Sequence, residues 1–245
     1  MLTLHKLNVY QKALAFGAHA EAFSGSWGRR HAIVDHFRRA SESIALNIAE
    51  AARLRTPPDK ARTLDYAIGS SLECAACLDI ARIKGRVSLE QSLNEKRSLL
   101  EITRMLIGLR SRWLESAMKE EPGADESEPT GACEILFHHE SLHVYQVGLE
   151  FMRWFVGLPG GGDLSNRLCR QMDQAATSMV LNIAEGNGRY SALDQRRFLE
   201  IAGSSAAKAR VYLDLYERKA LPVQLATTEG IELLSRIVAM LNSLV

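Results

Sequence analysis

Three groups of residues have types and spacings that chemistry could use. His139-Glu140-Ser141-Leu142-His143 reads H-E-x-x-H, the pattern in which two imidazoles one helical turn apart hold zinc while the glutamate serves the metal-bound water. That chemistry needs a third ligand downstream, and Gln146 and Leu149 stand where the extended form of the motif has glycine and histidine. The pattern carries the one enzymatic reading, a zinc metalloprotease, and chance spacing or adventitious metal binding is the preferred account of it. Cys74-Ala75-Ala76-Cys77 reads C-x-x-C, but it falls inside a helical stretch rather than at a helix start after a strand, so the thiols read as small packing residues. The third group is Ser43, Asn47 and Glu50, at i, i+4 and i+7 on one helical face, with Ser70 and Glu73 from a later helix. A catalytic cluster would need a nucleophile, a proton shuttle or a metal set, and no histidine accompanies these residues. They read as a structural polar network that fixes helix register. No catalytic residue, metal or cofactor is assigned.

The elements that hold these residues come from one observation. The octet Ser43-Ile44-Ala45-Leu46-Asn47-Ile48-Ala49-Glu50 returns as Ser178-Met179-Val180-Leu181-Asn182-Ile183-Ala184-Glu185, 135 positions later. The same offset pairs Val9-Tyr10-Gln11 with Val144-Tyr145-Gln146, and Met105-Leu106 with Met240-Leu241, without a gap. Ser178, Asn182 and Glu185 therefore extend the polar network to a second copy. Within each copy the apolar spacing is helical: Ile33, Phe37, Ala40, Ile44, Asn47 and Ala51 follow the 4-3 rhythm of a bundle seam. Helix one is expected from about Leu4 to Phe23, helix two to about Arg53, helix three from the Thr56-Pro57-Pro58-Asp59 stop to about Lys84, and helix four from Ser88. Gly85 is the expected C′ residue of helix three, Ser88 with Gln91 a capping pair, and Asp163 the N-cap of the second copy's helix two. The fold class expected is all-α, two tandem antiparallel up-down-up-down four-helix bundles over 1–118 and 135–245. Residues 119–134, with proline, glycine and six acidic side chains, form the linker between them.

A composition of 47% hydrophobic and 24% charged residues in 245 is that of a globular chain. Four scattered cysteines give no disulfide framework, and no apolar run reaches spanning length, so a cytoplasmic location without membrane contact is expected. The formal charge of +1 hides a split: residues 1–118 hold 18 Lys and Arg against 12 Asp and Glu, a net +6, while 119–134 hold 1 against 6, a net −5. A basic first half points to a polyanionic partner, RNA or DNA. Arg29, Arg30, Lys60, Arg62, Arg196 and Arg197 stand near helix N-termini, where a cation is unfavourable unless something selects it. They are the phosphate-contact candidates. Antiparallel topology adds Arg53, Arg55, Arg110 and Arg112, which fall with Lys60 and Arg62 at one end of the first bundle.

The Leu-x-Val-Tyr-Gln opening of helix one, the Ser-x-x-x-Asn-Ile-Ala-Glu of helix two and Ala67-Ile68-Gly69-Ser70-Ser71-Leu72-Glu73 of helix three resemble the four-helix-bundle proteins encoded in 23S rRNA intervening sequences. That family includes the accessory variability determinant of diversity-generating retroelements. The resemblance implies a bundle without catalysis of its own that binds nucleic acid and has a reverse transcriptase as partner. It also implies ring assembly, which for a two-bundle chain means a five-chain double ring or a monomer whose bundles pair internally. The opposing expectation is a protein–protein assembly module that touches no nucleic acid. The chain departs from the family pattern in its tandem fusion, in Ala51 where Gly186 keeps the glycine, and in Ser204 and Lys208, which replace the Gly69 and Glu73 of the first half.

Overall fold

The computed structural model describes residues 4–28, 32–115, 137–158, 165–219 and 224–244. Among these residues eight α-helices follow in order: α1 (Asn8–Ser24), α2 (Ala32–Arg53), α3 (Pro57–Ile83), α4 (Leu89–Glu115), α5 (His143–Gly157), α6 (Arg167–Asn187), α7 (Ala192–Lys219) and α8 (Gln224–Leu244). Short 3-10 turns precede α1 (Leu4–Lys6), follow it (Gly25–Trp27) and precede α5 (His138–Ser141). No strand occurs among the described residues. Among the described residues no helix is long and apolar enough to cross a membrane.

The helix boundaries follow local chemistry. Thr56 caps α3 by accepting from the Asp59 amide at 3.3 Å, and Pro57 at the first position loses no helical hydrogen bond. Gly85 takes φ 65°, which ends α3 in the left-handed conformation expected of it. Ser88 and Gln91 form the reciprocal capping box of α4: Ser88 N–H donates to Gln91 Oε1 at 2.9 Å and Gln91 N–H to Ser88 Oγ at 3.1 Å. Helix α6 differs from expectation. Asp163 lies outside the described residues, and the cap is Asn166, which accepts from the Leu168 amide at 2.9 Å. The expected linker likewise falls within 116–136, outside the described residues.

Side-chain pairs give the helix directions. His36 reaches Glu73 and Ser70 reaches Ser43, so α2 and α3 run antiparallel. Asp79 to Lys96 and Asp65 to Arg110 do the same for α3 and α4, and Lys12 to Glu101 with His19 to Glu95 for α1 and α4. In the second copy, Ser178 meets Ser205 and Gln171 meets Tyr212. Two up-down-up-down bundles result, the first closed around Phe37, Trp27 and Phe16, the second around Phe151, Met152 and Met179.

The bundles meet through α3, which packs against α6 and α5 as well as against its own neighbours α2 and α4. A helix covered on every side cannot carry an amphipathic stripe, and α3 accordingly has mostly small or apolar residues all round, Ala67 through Leu72 and Cys74 through Ala81 being buried, with the one charge in those runs, Asp79, held by Lys96 and Tyr145. Lys84 near the end of α3 pairs with Asp173 near the start of α6, and Arg189, just after α6, reaches Asp65 near the start of α3. Helix α6 is thus antiparallel to α3 and parallel to α2, so the second bundle points the same way as the first.

Candidate functional site

Because the bundles share a direction, the basic residues of both collect at one end. Arg53 and Arg55 close α2, Lys60 and Arg62 open α3, and Arg110 and Arg112 close α4. The Lys60 ammonium lies 5.1 Å from the Trp113 ring, which fixes the start of α3 beside the end of α4. Arg110 donates to Asp65 at 2.6 Å and stacks 3.7 Å over the ring of Tyr190, which is 55% exposed in the turn between α6 and α7. Burial pushes the Asp65 carboxyl above its ordinary value, and the Arg110 guanidinium opposes that push. Arg196 pairs with Glu200 at 3.0 Å and Arg197 is exposed beside it on α7. Arg53, Arg55, Arg62 and Arg112 are exposed and make no ion pair with the described residues. Arg29 and Arg30 lie outside the described residues.

The expected polar network forms, with different membership. Asn47 Nδ2 donates to Ser43 O at 2.7 Å and to Ser43 Oγ at 2.9 Å, and Ser70 Oγ donates to Ser43 Oγ at 2.9 Å. The second copy repeats it, Asn182 on Ser178 at 2.7 Å and Ser178 with Ser205 at 3.0 Å. The glutamates do not join. Glu50 is exposed near the end of α2: it shares Ser43's side of the helix but lies about 10 Å further along the axis, beyond the Ser43–Ser70 contact. Glu73 bonds His36 at 3.0 Å, and Glu185 bonds Arg189, four residues on. Both carboxyls belong to the junction between bundles.

Arg189 is the residue the sequence reading missed. Its guanidinium is almost fully buried between the halves, donating to Glu185 and, at 3.2 Å, to the backbone carbonyl of Asp65. It stacks 4.7 Å from Tyr66 on α3 and 4.5 Å from Phe198 on α7. Gly69 makes room for it: a Cβ there would stand 3.0 Å from the guanidinium carbon. A signal existed, since the 135-residue offset sets Arg189 against Leu54 and Gly188 against Arg53, two departures side by side. Burial, followed by the nearby Glu73 carboxylate, raises the Glu185 carboxyl to about 7 from 4.5, against the opposing pull of Arg189.

The zinc pattern is dispersed. His139 lies in the 3-10 turn, His143 begins α5, and the two are not one turn apart on one helix. The His139 ring is fully buried 4.7 Å from Tyr145 and 5.8 Å from Phe137, with no hydrogen-bond partner on either nitrogen among the described residues. Burial, then the charge of Lys96, lowers it to about 3, so it is neutral. Glu140 is held by the buried Lys96 at 2.7 Å, which also bonds Asp79 at 2.7 Å; Tyr145 donates to Asp79 at 2.9 Å. Among the described residues no three His, Cys, Asp or Glu side chains converge as a ligand group. Cys74 and Cys77 are free, fully buried thiols whose ionisation is pushed well up by burial, the packing role expected of them.

Compared with known proteins, the chain matches the family model described as 23S rRNA-intervening sequence protein twice, over residues 5–108 and 140–243. Both ends of the second match lie 135 residues beyond those of the first, the offset found within the sequence. No curated protein and no solved structure matches significantly.

Proposed function

Since the chain belongs to the 23S rRNA-intervening sequence protein family, we propose that it is a non-enzymatic nucleic-acid-binding scaffold that holds RNA or DNA against the basic end of its two bundles. One observation carries the reading: Arg53, Arg55, Lys60, Arg62, Arg110 and Arg112 lie at a single end, next to the exposed ring of Tyr190 and to Arg196 and Arg197. Guanidinium and ammonium groups contact phosphates without regard to sequence, and an exposed tyrosine gives an unpaired base a surface to stack on. A nucleic acid handled by a reverse transcriptase, with that enzyme as protein partner, extends the same reading.

The test is a salt titration of binding to a generic RNA hairpin and a single-stranded DNA, read by fluorescence anisotropy. Log affinity is expected to fall linearly with log salt, with a slope of about −0.7 to −0.9 per phosphate neutralised. Changing Arg53, Arg55, Arg62 and Arg112 together to alanine weakens binding at every sequence and flattens the slope by about 1 per residue that contacts phosphate. No binding at low salt overturns the proposal and favours the alternative of a pure assembly module.

A further inference from the structure

Helices α3, α4 and α5 converge around a cavity of about 460 Å³, a volume ordinary for a small-molecule site. It lies far from the basic end. Arg82, on its wall, stands twenty residues along α3 from Arg62, about 30 Å at the helical rise.

One end of the cavity is satisfied within itself. Lys96 donates to Asp79 and to Glu140 at 2.7 Å each, and Tyr145 donates to Asp79 at 2.9 Å. The other end is not. The pairs Asp79–Lys96 and Asp65–Arg110 set the register of α3 against α4, which brings Arg82 level with Leu93 and beside Ser92. Arg153 stands eight residues beyond Tyr145 on α5, which runs parallel to α3, so it lies toward the same end. Neither the half-buried Arg82 nor the exposed Arg153 pairs with a carboxylate of the described residues. Ser92 is 2% exposed and lines the cavity, and its hydroxyl makes no hydrogen bond to the described residues. A buried hydroxyl left so carries a cost that a ligand atom can relieve. Leu89, Leu93 and Leu149 complete an apolar wall.

The duplication shows that bundle packing does not need these cations. The 135-residue offset sets Glu217 against Arg82, Ile231 against Lys96 and Ala18 against Arg153. Around the cavity three cations, Arg82, Lys96 and Arg153, face two carboxylates, Asp79 and Glu140, which leaves one positive charge in excess.

We infer that this cavity binds a small organic acid with one carboxylate and an aliphatic body. The carboxylate lies between the guanidinium groups of Arg82 and Arg153 and takes the Ser92 hydroxyl, while the body follows Leu89, Leu93 and Leu149. Guanidinium forks match the planar carboxylate. A single excess charge suits a monoanion, whereas a phosphate dianion meets repulsion from Asp79 and Glu140. The ligand touches the first bundle through α3 and α4 and the second through α5, so binding stabilises their junction.

Isothermal titration calorimetry of the full chain with sodium octanoate, below its micelle concentration, tests this. One saturable site is expected, and octanoate raises the melting temperature. Arg82→Ala and Arg153→Ala each weaken binding about tenfold and Ser92→Ala about threefold, with circular dichroism showing the helices intact. Arg53→Ala, at the basic end, leaves octanoate binding unchanged. No saturable binding at millimolar octanoate overturns the inference. So does binding that survives Arg82→Ala and Arg153→Ala combined, which is what uptake in the apolar groove beside Leu14 and Leu46 would give. Inorganic phosphate that displaces octanoate at equal concentration also overturns it, by marking a phosphate site instead.

Discussion

Glu185 and His139 are ionisable groups that the fold holds away from their ordinary values, in ways that oppose each other with pH. Glu185 shares the junction with Glu73, Arg189 and His36, and its carboxyl titrates near 7 rather than 4.5. A raised carboxyl binds its proton more tightly in the folded chain than in the unfolded one, so its support is complete below about pH 4.5 and is lost as pH rises through about 7. Glu73→Gln removes the nearest like charge, and carboxyl-carbon NMR should show Glu185 titrating below its wild-type value. An unchanged midpoint would mean that Glu73 has no electrical influence on it. His139 behaves in reverse. Its depressed value means that the folded chain resists its protonation, so its support is complete above about pH 6.5 and lost as pH falls toward about 3. A buried imidazole with neither nitrogen bonded costs about 1–3 kcal/mol. His139→Leu is therefore expected to raise the urea midpoint at pH 7 and to reduce the loss of stability between pH 6 and pH 4. A lowered midpoint would reveal an unseen hydrogen bond at that ring.

At the scale of the helices, the contact between α3 and the end of α6 depends on glycine where Gly188 lies against Gly69 and Leu72. A Cβ on Gly188 would stand 2.5 Å from Leu72 Cδ1 and 3.3 Å from the Gly69 Cα. Gly188→Val should force the two helices apart at a cost of about 1–3 kcal/mol. Helix content should be retained, and amide exchange should quicken along α3, the helix that both bundles share. Exchange that quickens evenly over all eight helices would instead place the damage in the bundle cores. The helices themselves were legible beforehand, since proline, glycine and capping serines mark their ends and the 135-residue offset proves each assignment twice. The polar network was legible in its serines and asparagines for the same reason. Its glutamates were misplaced, because a period of 3.6 assigns residues to a face but does not say which helix lies opposite. Helix α3 shows the difficulty in full. Buried on every side, it has no polar face whose absence could announce a second neighbour, and its small residues Gly69, Ser70 and Ser71 read equally well as ordinary bundle packing. The misreading of α6, which starts at Arg167 behind an Asn166 cap, came from an acidic residue that makes an equally acceptable cap in sequence.

For the whole molecule, the shared direction of the bundles has a consequence for binding strength. Both bundles turn their basic ends to the same side, so a nucleic acid long enough to reach from Arg53 and Arg112 on the first bundle to Arg196 and Arg197 on the second meets both at once. The second contact is then intramolecular and raises avidity without any new kind of contact. Changing Arg196 and Arg197 together to alanine should weaken binding of a long RNA and make its salt slope shallower, yet leave a short hairpin bound nearly as well. Equal losses for both lengths would show that the second bundle adds no bridging contact. The asymmetry of the junction reaches further, into heredity. In a bundle encoded alone, one codon writes a given interface position into every subunit, so a glutamate on the third helix must suit every contact that helix makes. Joining two bundles in one reading frame divides that codon into two, and Glu73 and Lys208 now carry opposite charges at one structural position. The inner contact, held together covalently, tolerates a repulsion between carboxylates, while the same position on α7 is free to change without disturbing it.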